Sequence, residues 1–355
     1  MRDEPPHPDL APIPAVRETV HDYLTRRGYT RRQFLELAGA VAALLGYRTS
    51  PLAASAGRAI GGDPATRLAW EVARALQTAP RAPLIWLQLQ DCAGCTSALT
   101  RTRRPTMVSL ILDALSIEYH ETLSAAAGEQ IEANKQTVME ERFGEYLLVV
   151  EGSIPADGAY CAVGGRPARA IVEEAAAGAR GIIATGNCAA FGGLPAAAPN
   201  PTAALSAPSV LAGRQVINVP GCPAIPEVTA GVIAHIVVEG QPPELDDLGR
   251  PLPYYAQTVH DACERRRHFR DGEFAASFDD EGARQGWCLF ELGCRGPETF
   301  NSCATMGWLD GLSYPVASGH PCLGCSEPGF WDKGSFYPWE PRPRQIFVPR
   351  VAKGQ

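Results

Sequence analysis

Seven side chains able to bind metal follow one another in the last third of this sequence: His260, Cys263, Cys288, Cys294, Cys303, Cys322 and Cys325. They sit in the segments HDACERRRHF, GWCLFELGCRGPETFNSCAT and SGHPCLGCSEPGFWD. Thiolates in this number, set among Gly and Pro with one imidazole, suit iron–sulfur clusters. Cys303, Cys322 and Cys325 offer three thiolates, the complement of a [3Fe–4S] cluster. His320 is an alternative fourth ligand there, although Pro321 restricts the backbone between it and Cys322. His260, Cys263, Cys288 and Cys294 make a second set, for a [4Fe–4S] cluster with one imidazole among its ligands. His260 lies three positions before Cys263, a spacing that puts both on one face of a helical turn. The run Arg265–Arg266–Arg267 is either a solvated basic patch or a charge that eases electron arrival.

Four more cysteines lie upstream. Cys92-x-x-Cys95 alone is ambiguous among a redox dithiol, half a zinc site and a cluster pair. Cys188 in GNCAAFGG and Cys222 in PGCPAIPE add two thiolates in Gly- and Pro-rich turns, where backbone N–H groups can point at sulfide. Together they suit another [4Fe–4S] cluster, with a Cys₄ zinc site still open. Cys161 has no spaced partner and is expected to be an inert thiol.

The elements that must position these residues are legible in the apolar pattern. Strands are expected over 82–90, 147–150, 181–185 and 215–219, and helices near 106–117, 121–143, 167–180 and 225–239. Alternating strands and helices imply an α/β fold with a parallel sheet. The upstream cysteines fall just after strands, at the carboxyl-end crevice where such sheets bind ligands. Cys92, Cys95, Cys188 and Cys222 are therefore expected to converge. Beyond a Pro- and Asp-rich boundary over 240–256, regular periodicity stops, so bound cofactors must help stabilise the remaining segment.

A chain of 355 residues is long enough for two domains, and a net charge of −7 argues against bulk nucleic-acid binding. Its 35 Gly and 31 Pro suit loops that wrap cofactors, and 11 Cys cannot all pair as disulfides. Near the N-terminus, Arg31–Arg32 precedes a short apolar stretch to Leu45 and a small-residue site at Ala54–Ser55–Ala56. This reads as a twin-arginine export signal, too short to span a bilayer. The expected organisation is a disordered start and signal over 1–56, an α/β domain over 57–245 and a cluster domain over 246–355.

Taken in order, the motifs resemble the small subunit of a [NiFe] hydrogenase of the exported uptake type. The family pattern Cx₂C, GxCAxxGG, PGCP, HxxCxRRxxF, GxCLxxxGCxGP and HPCxGCSEPxFWD is visible to about residue 332. The resemblance implies an N-terminal flavodoxin-like domain and a C-terminal iron–sulfur domain with little regular secondary structure. It implies a proximal [4Fe–4S] cluster on Cys92, Cys95, Cys188 and Cys222, beside the Ni–Fe centre of a partner large subunit. A medial [3Fe–4S] cluster would lie on Cys303, Cys322 and Cys325, with Pro315 where a fourth ligand would otherwise stand. A distal [4Fe–4S] cluster would lie on His260, Cys263, Cys288 and Cys294.

The implied activity is reversible oxidation of H₂ to protons and electrons. Catalysis falls to the large subunit, and the electrons go to a cytochrome b or c or a membrane redox complex. Oxygen-tolerant relatives carry extra cysteines where this chain has Gly94 and Gly193, so a six-cysteine proximal cluster is not expected. Asp91 stands where many relatives have Glu and is read as a hydrogen-bonded carboxylate, with proton handling as the alternative. The tail FYPWEPRPRQIFVPRVAKGQ is not an anchor helix, so a periplasmic or peripheral location and a heterodimer, or a pair of heterodimers, are expected. Two rivals remain. A quinone-reductase-type subunit would use only the four upstream cysteines, and a structural protein held by disulfides or zinc would contain no iron.

Overall fold

The computed structural model describes residues 18–45, 64–78, 81–101, 115–309 and 311–332. The expected disordered start, the Ala54–Ala56 site, most of the expected 106–117 helix and the C-terminal tail lie outside them.

Five parallel strands form the centre of the fold: β1 (Ala82–Gln88), β2 (Leu115–His120), β3 (Leu147–Glu151), β4 (Gly181–Thr185) and β5 (Val216–Val219). Their spatial order is β2-β1-β3-β4-β5. This is the doubly wound flavodoxin-like order, whose topological switch lies between β1 and β3. The inner strands are nearly continuous apolar runs because both sheet faces are covered. Alternate residues divide between two cores. Leu84, Trp86, Leu147, Val149, Ile183 and Val219 face one side; Ile85, Leu87, Leu148, Val150, Ile182 and Ala184 face the other.

The main helices are α1 (Val20–Arg26), α2 (Arg31–Leu45), α3 (Pro64–Thr78), α4 (Gly94–Leu99), α5 (Glu129–Glu141), α6 (Ala168–Ala177), α7 (Gly186–Phe191) and α8 (Pro226–Glu239). Helices α5 and α6 cover the second face through Ile131, Val138, Ile171 and Val172. On the first face α2 packs against α3 and α8, burying Phe34, Leu37, Ala38, Val41 and Ala42. Arg31 and Arg32, at the start of α2, are exposed. No described helix is long and apolar enough to cross a membrane.

Two expected helices differ. Residues 115–117, assigned to the end of the 106–117 helix, belong to strand β2 (Leu115–His120). Leu115, Ile117 and Tyr119 alternate with polar residues, which fits the pleat of an edge strand paired to β1. The expected 121–143 helix starts only at Glu129. Gly128 has φ +58° and turns the chain there, so the alanine run before it stays out of the helix.

From Leu252 on, the described segment is mostly turns and short helices. Tyr254, Tyr255, Val259, Leu289, Cys303, Tyr314, Val316 and Cys322 nevertheless join the first-face core beside α8. Gly231 in α8 leaves the space that the Tyr254 ring occupies. Arg250 ties the two parts together. It is 4 % exposed and binds Asp246 at 2.7 Å and Glu327 at 2.9 Å.

Candidate metal centre

The four upstream cysteines meet at the carboxyl ends of β1, β4 and β5, as the strand–turn placement predicts. Asp91 Oδ1 accepts from the Ala93 N–H at 2.7 Å, and Ala93 adopts a left-handed conformation (φ 56°) that turns the chain into α4. The donors in the first turn of α4 are capped by a residue from another strand. Glu151, at the end of β3 and 1 % exposed, accepts from the Cys95 and Thr96 N–H groups at 3.0 and 3.1 Å. It also accepts from the Thr96 hydroxyl and, at 3.0 Å, from the Trp86 indole. Behind Thr96 lies His120, fully buried, with Nε2 at 3.3 Å from the hydroxyl and Nδ1 accepting from the Thr122 N–H. Burial lowers the His120 pKa to about 4 and keeps it neutral.

The sulfurs are close enough to act on one another. Burial, then the neighbouring thiolate Cys222, pushes Cys188 up to about 12. Cys95 is raised by burial and Glu151, with smaller effects from Cys188 and Cys222. Burial and Cys92 raise Cys222. Metal ligation at such a crowded set requires strong positive charge to keep the thiolates ionised.

The backbone comes as near as glycine permits. A Cβ on Gly193 would lie 2.6 Å from Cys188 Sγ, one on Gly186 2.5 Å from Cys95 Sγ, and one on Gly94 3.0 Å from Cys92 Sγ. Gly94 and Gly193 therefore both border the upstream sulfurs. Asp91 is pushed up to about 6 by burial, with Glu151 adding to it. Cys161 stands outside the four; it is half-buried and raised by burial, with Glu121 and Asp91 acting on it.

The downstream ligands form two adjoining groups. His260, Cys263, Cys288 and Cys294 all line one cavity with Val259, Leu289, Phe290 and Val316. Phe269 packs edge-on against the His260 ring at 4.7 Å. Burial and then Arg266 lower the His260 pKa, so its imidazole is neutral and free to ligate. Cys325 is raised by burial and by Cys303 and Cys322, which marks these three as a cluster. Cys322 borders both groups, since its N–H points at Cys294 Sγ at 3.3 Å. His320 is engaged elsewhere, with Nδ1 2.8 Å from the Pro321 carbonyl oxygen and its ring stacked on Phe278. The Pro315 carbonyl accepts from the His320 N–H, and its neighbour Val316 lines the cavity of His260.

A repeated local device serves the sulfurs. Cys263, Cys288, Cys294 and Cys322 each receive the backbone N–H of the residue two positions on: Arg265, Phe290, Gly296 and Gly324. Such turns supply donors to thiolate without any side chain. The Cys222 N–H points across to Cys325, and Asn187 Nδ2 donates to the Cys325 and Glu327 carbonyls at 2.9 and 3.1 Å. The upstream and downstream groups are thus in contact. Among the described residues no three His, Cys, Asp or Glu side chains close on a point suited to a single metal ion. The donor set, soft thiolates ringed by N–H groups, fits a multi-iron cluster better than tetrahedral zinc.

A flavodoxin-like sheet whose strand ends carry thiolates contiguous with a loop-built thiolate domain defines a redox subunit. Sequence comparison assigns it more narrowly. The family described as the C-terminal part of the NiFe/NiFeSe hydrogenase small subunit matches residues 255–337, and the NADH ubiquinone oxidoreductase 20 Kd subunit family matches 92–236. The uptake hydrogenase small subunit of Azotobacter vinelandii is 43% identical over 322 residues, 90% of this chain and 85% of that protein. The hydrogenase-2 small chain of Escherichia coli is 46% identical over 305 residues, 85% of this chain and 77% of that one. A chain of the [NiFeSe]-hydrogenase structure from Dm. baculatum superposes with TM-score 0.68 at 34% identity, covering 73% of this chain and 99% of its own. The chain belongs to the NiFe hydrogenase small subunits, and it is the electron-transfer partner of a large subunit that carries the catalytic centre.

Several residues of the site escaped sequence reading. Glu151 and Asn187 are the main ones. Their only signal is position, at the last residue of one strand and directly before a ligand cysteine.

Proposed function

We propose that this chain holds three iron–sulfur clusters and serves reversible H₂ oxidation by its large-subunit partner. Cys92, Cys95, Cys188 and Cys222 would hold the proximal [4Fe–4S] cluster. Cys303, Cys322 and Cys325 would hold the medial [3Fe–4S] cluster, and His260, Cys263, Cys288 and Cys294 the distal [4Fe–4S] cluster. When bound, the clusters supply one-electron storage over a potential range that the surroundings set. The protein's part is to hold thiolates ionised, to aim N–H groups at them, and to keep the three sets contiguous.

The observation that carries this reading is that contiguity. The strand-end set touches Cys325 through the Cys222 N–H, and Cys322 touches the cavity of His260 through Cys294. The quinone-reductase rival accounts for the first set and leaves the other seven ligands without a purpose. The proposed acceptor is a cytochrome b or c or a membrane redox complex, reached from the distal side. The proposed setting is a heterodimer, or a pair of heterodimers, exported by the twin-arginine route to the outer face of the cytoplasmic membrane.

The test is iron and acid-labile sulfide per chain, with EPR of the anaerobically purified complex. About eleven irons with an oxidised [3Fe–4S] signal are expected. About four irons without that signal would favour the quinone-reductase type, and zinc alone would end the proposal. Export is tested separately, because a double R31K/R32K change should retain the subunit inside the cell.

A further inference from the structure

The loop that follows Cys303 carries two buried donors that the cluster-ligand motifs do not include. Gly307, with φ +64°, ends the short helix over Cys303–Met306 and packs on Gly311. The Trp308 N–H then binds the Ser313 carbonyl at 2.8 Å, and the Leu312 N–H binds the Trp308 carbonyl at 2.9 Å. This closed hairpin fixes Trp308 at one end and Tyr314 just past the other. Trp308 Nε1 and Tyr314 Oη are both buried, and neither makes a hydrogen bond of normal geometry with any described residue. A buried donor left unpaired costs about 1–3 kcal/mol, so two of them in one short loop call for acceptors. Each lies against a ligand sulfur. The Trp308 indole faces Cys303 and the Tyr314 hydroxyl faces Cys263, and all four side chains lie in or against the same core.

We propose that Trp308 and Tyr314 are tuning residues for two different centres, Trp308 donating to Cys303 on the medial side and Tyr314 to Cys263 on the distal side. The inference rests on the cluster reading above and adds to it which side chains set the two potentials. A hydrogen bond to a ligand sulfur withdraws electron density and favours the reduced, more negative state, so each donor raises the potential of its own centre. Because one hairpin delivers both donors, a single structural element acts on the medial and distal potentials together. Tyr314→Phe removes its donor with little change of shape, and Trp308→Phe removes the indole N–H while keeping an aromatic ring in the loop.

The experiment is an EPR-monitored redox titration of the purified heterodimer in wild type, W308F and Y314F. In W308F the oxidised-to-reduced ratio of the medial centre at fixed potential should rise about tenfold, a shift of about 59 mV to lower potential for a one-electron couple. The distal centre should stay where it was. Y314F should give the converse. Unchanged midpoints in variants with full iron, or equal shifts of both centres in each variant, would overturn the proposal. Should a variant fail to assemble, pulsed EPR of the wild type carrying tryptophan labelled with nitrogen-15 at the indole decides the matter. A nitrogen-15 coupling to the oxidised medial centre supports the Trp308 assignment, and its absence refutes it. A wild-type protein without iron would instead reject the cluster reading itself, a result distinct from clusters whose potentials ignore both residues.

Discussion

Replacing Asn187 by alanine tests how the two halves of the site are joined. The side chain is 2 % exposed, and its amide donates to the Cys325 and Glu327 carbonyls. Alanine removes both donations to these part-buried carbonyls, at about 1–3 kcal/mol each. Part of that is recovered, because Asn187 Oδ1 is itself buried without a partner among the described residues. The net cost is roughly 2–4 kcal/mol, confined to the contact between the turn at Cys188 and the loop at Cys325. Expressed as local opening, this is roughly a 30- to 1000-fold change. Hydrogen–deuterium exchange of residues 321–327 in the holo heterodimer reads it directly, and the rate of iron loss on warming gives a second measure. Asn187→Asp sharpens the test. It keeps the shape but sets a carboxylate against two carbonyl oxygens, so it should be worse than alanine. If both variants exchange like wild type, or if aspartate is the milder change, the assigned hydrogen bonds do not join these loops.

His120 gives a pH prediction. Its folded pKa of about 4 lies below the ordinary 6.5, so between these values the unfolded chain binds a proton that the folded one refuses. Stability from this group is therefore complete above pH 6.5 and falls by about 3 kcal/mol as pH drops to 4. Asp91 and Glu121 have raised pKa values and act in the opposite sense, so the quantity to measure is the difference between wild type and His120→Asn across that window. A pH-independent difference would refute it. Gly193→Ala combines a strained φ of +55° with a Cβ set against Cys188 Sγ, and should cost iron at the upstream set while sparing the [3Fe–4S] signal. Full iron content in that variant would show that the turn yields more readily than its geometry implies.

The sheet was readable because β1, β3, β4 and β5 are apolar runs closed by turn residues, and the cysteines that the fold brings together stood out by type and spacing. β2 was not readable. It is an edge strand with only three apolar positions, and its alternation is easily mistaken for a helix end. The start of α5 depends on the backbone of Gly128, which an alanine run before it disguises. Glu151, Asn187, Trp308 and Tyr314 acquire their roles from partners up to 140 positions away, and no local pattern carries that information. The helical segment α1–α2 is a further case. The arginine pair and short apolar stretch speak of an address, whereas the packing of Phe34, Leu37 and Val41 is visible only once α3 and α8 are in place.

The strand order has a consequence for how the chain matures. Cys92 and Cys95 follow β1, whereas Cys188 and Cys222 wait on β4 and β5, and β4 reaches β1 only through β3. The upstream set is therefore a product of high contact order, and long-range pairings of this kind form slowly. A chain still being synthesised, or one with a slipped strand, presents two of the four thiolates and cannot grip a cluster. Iron held at those four cysteines would in that sense be a record that the sheet was finished before the metal arrived.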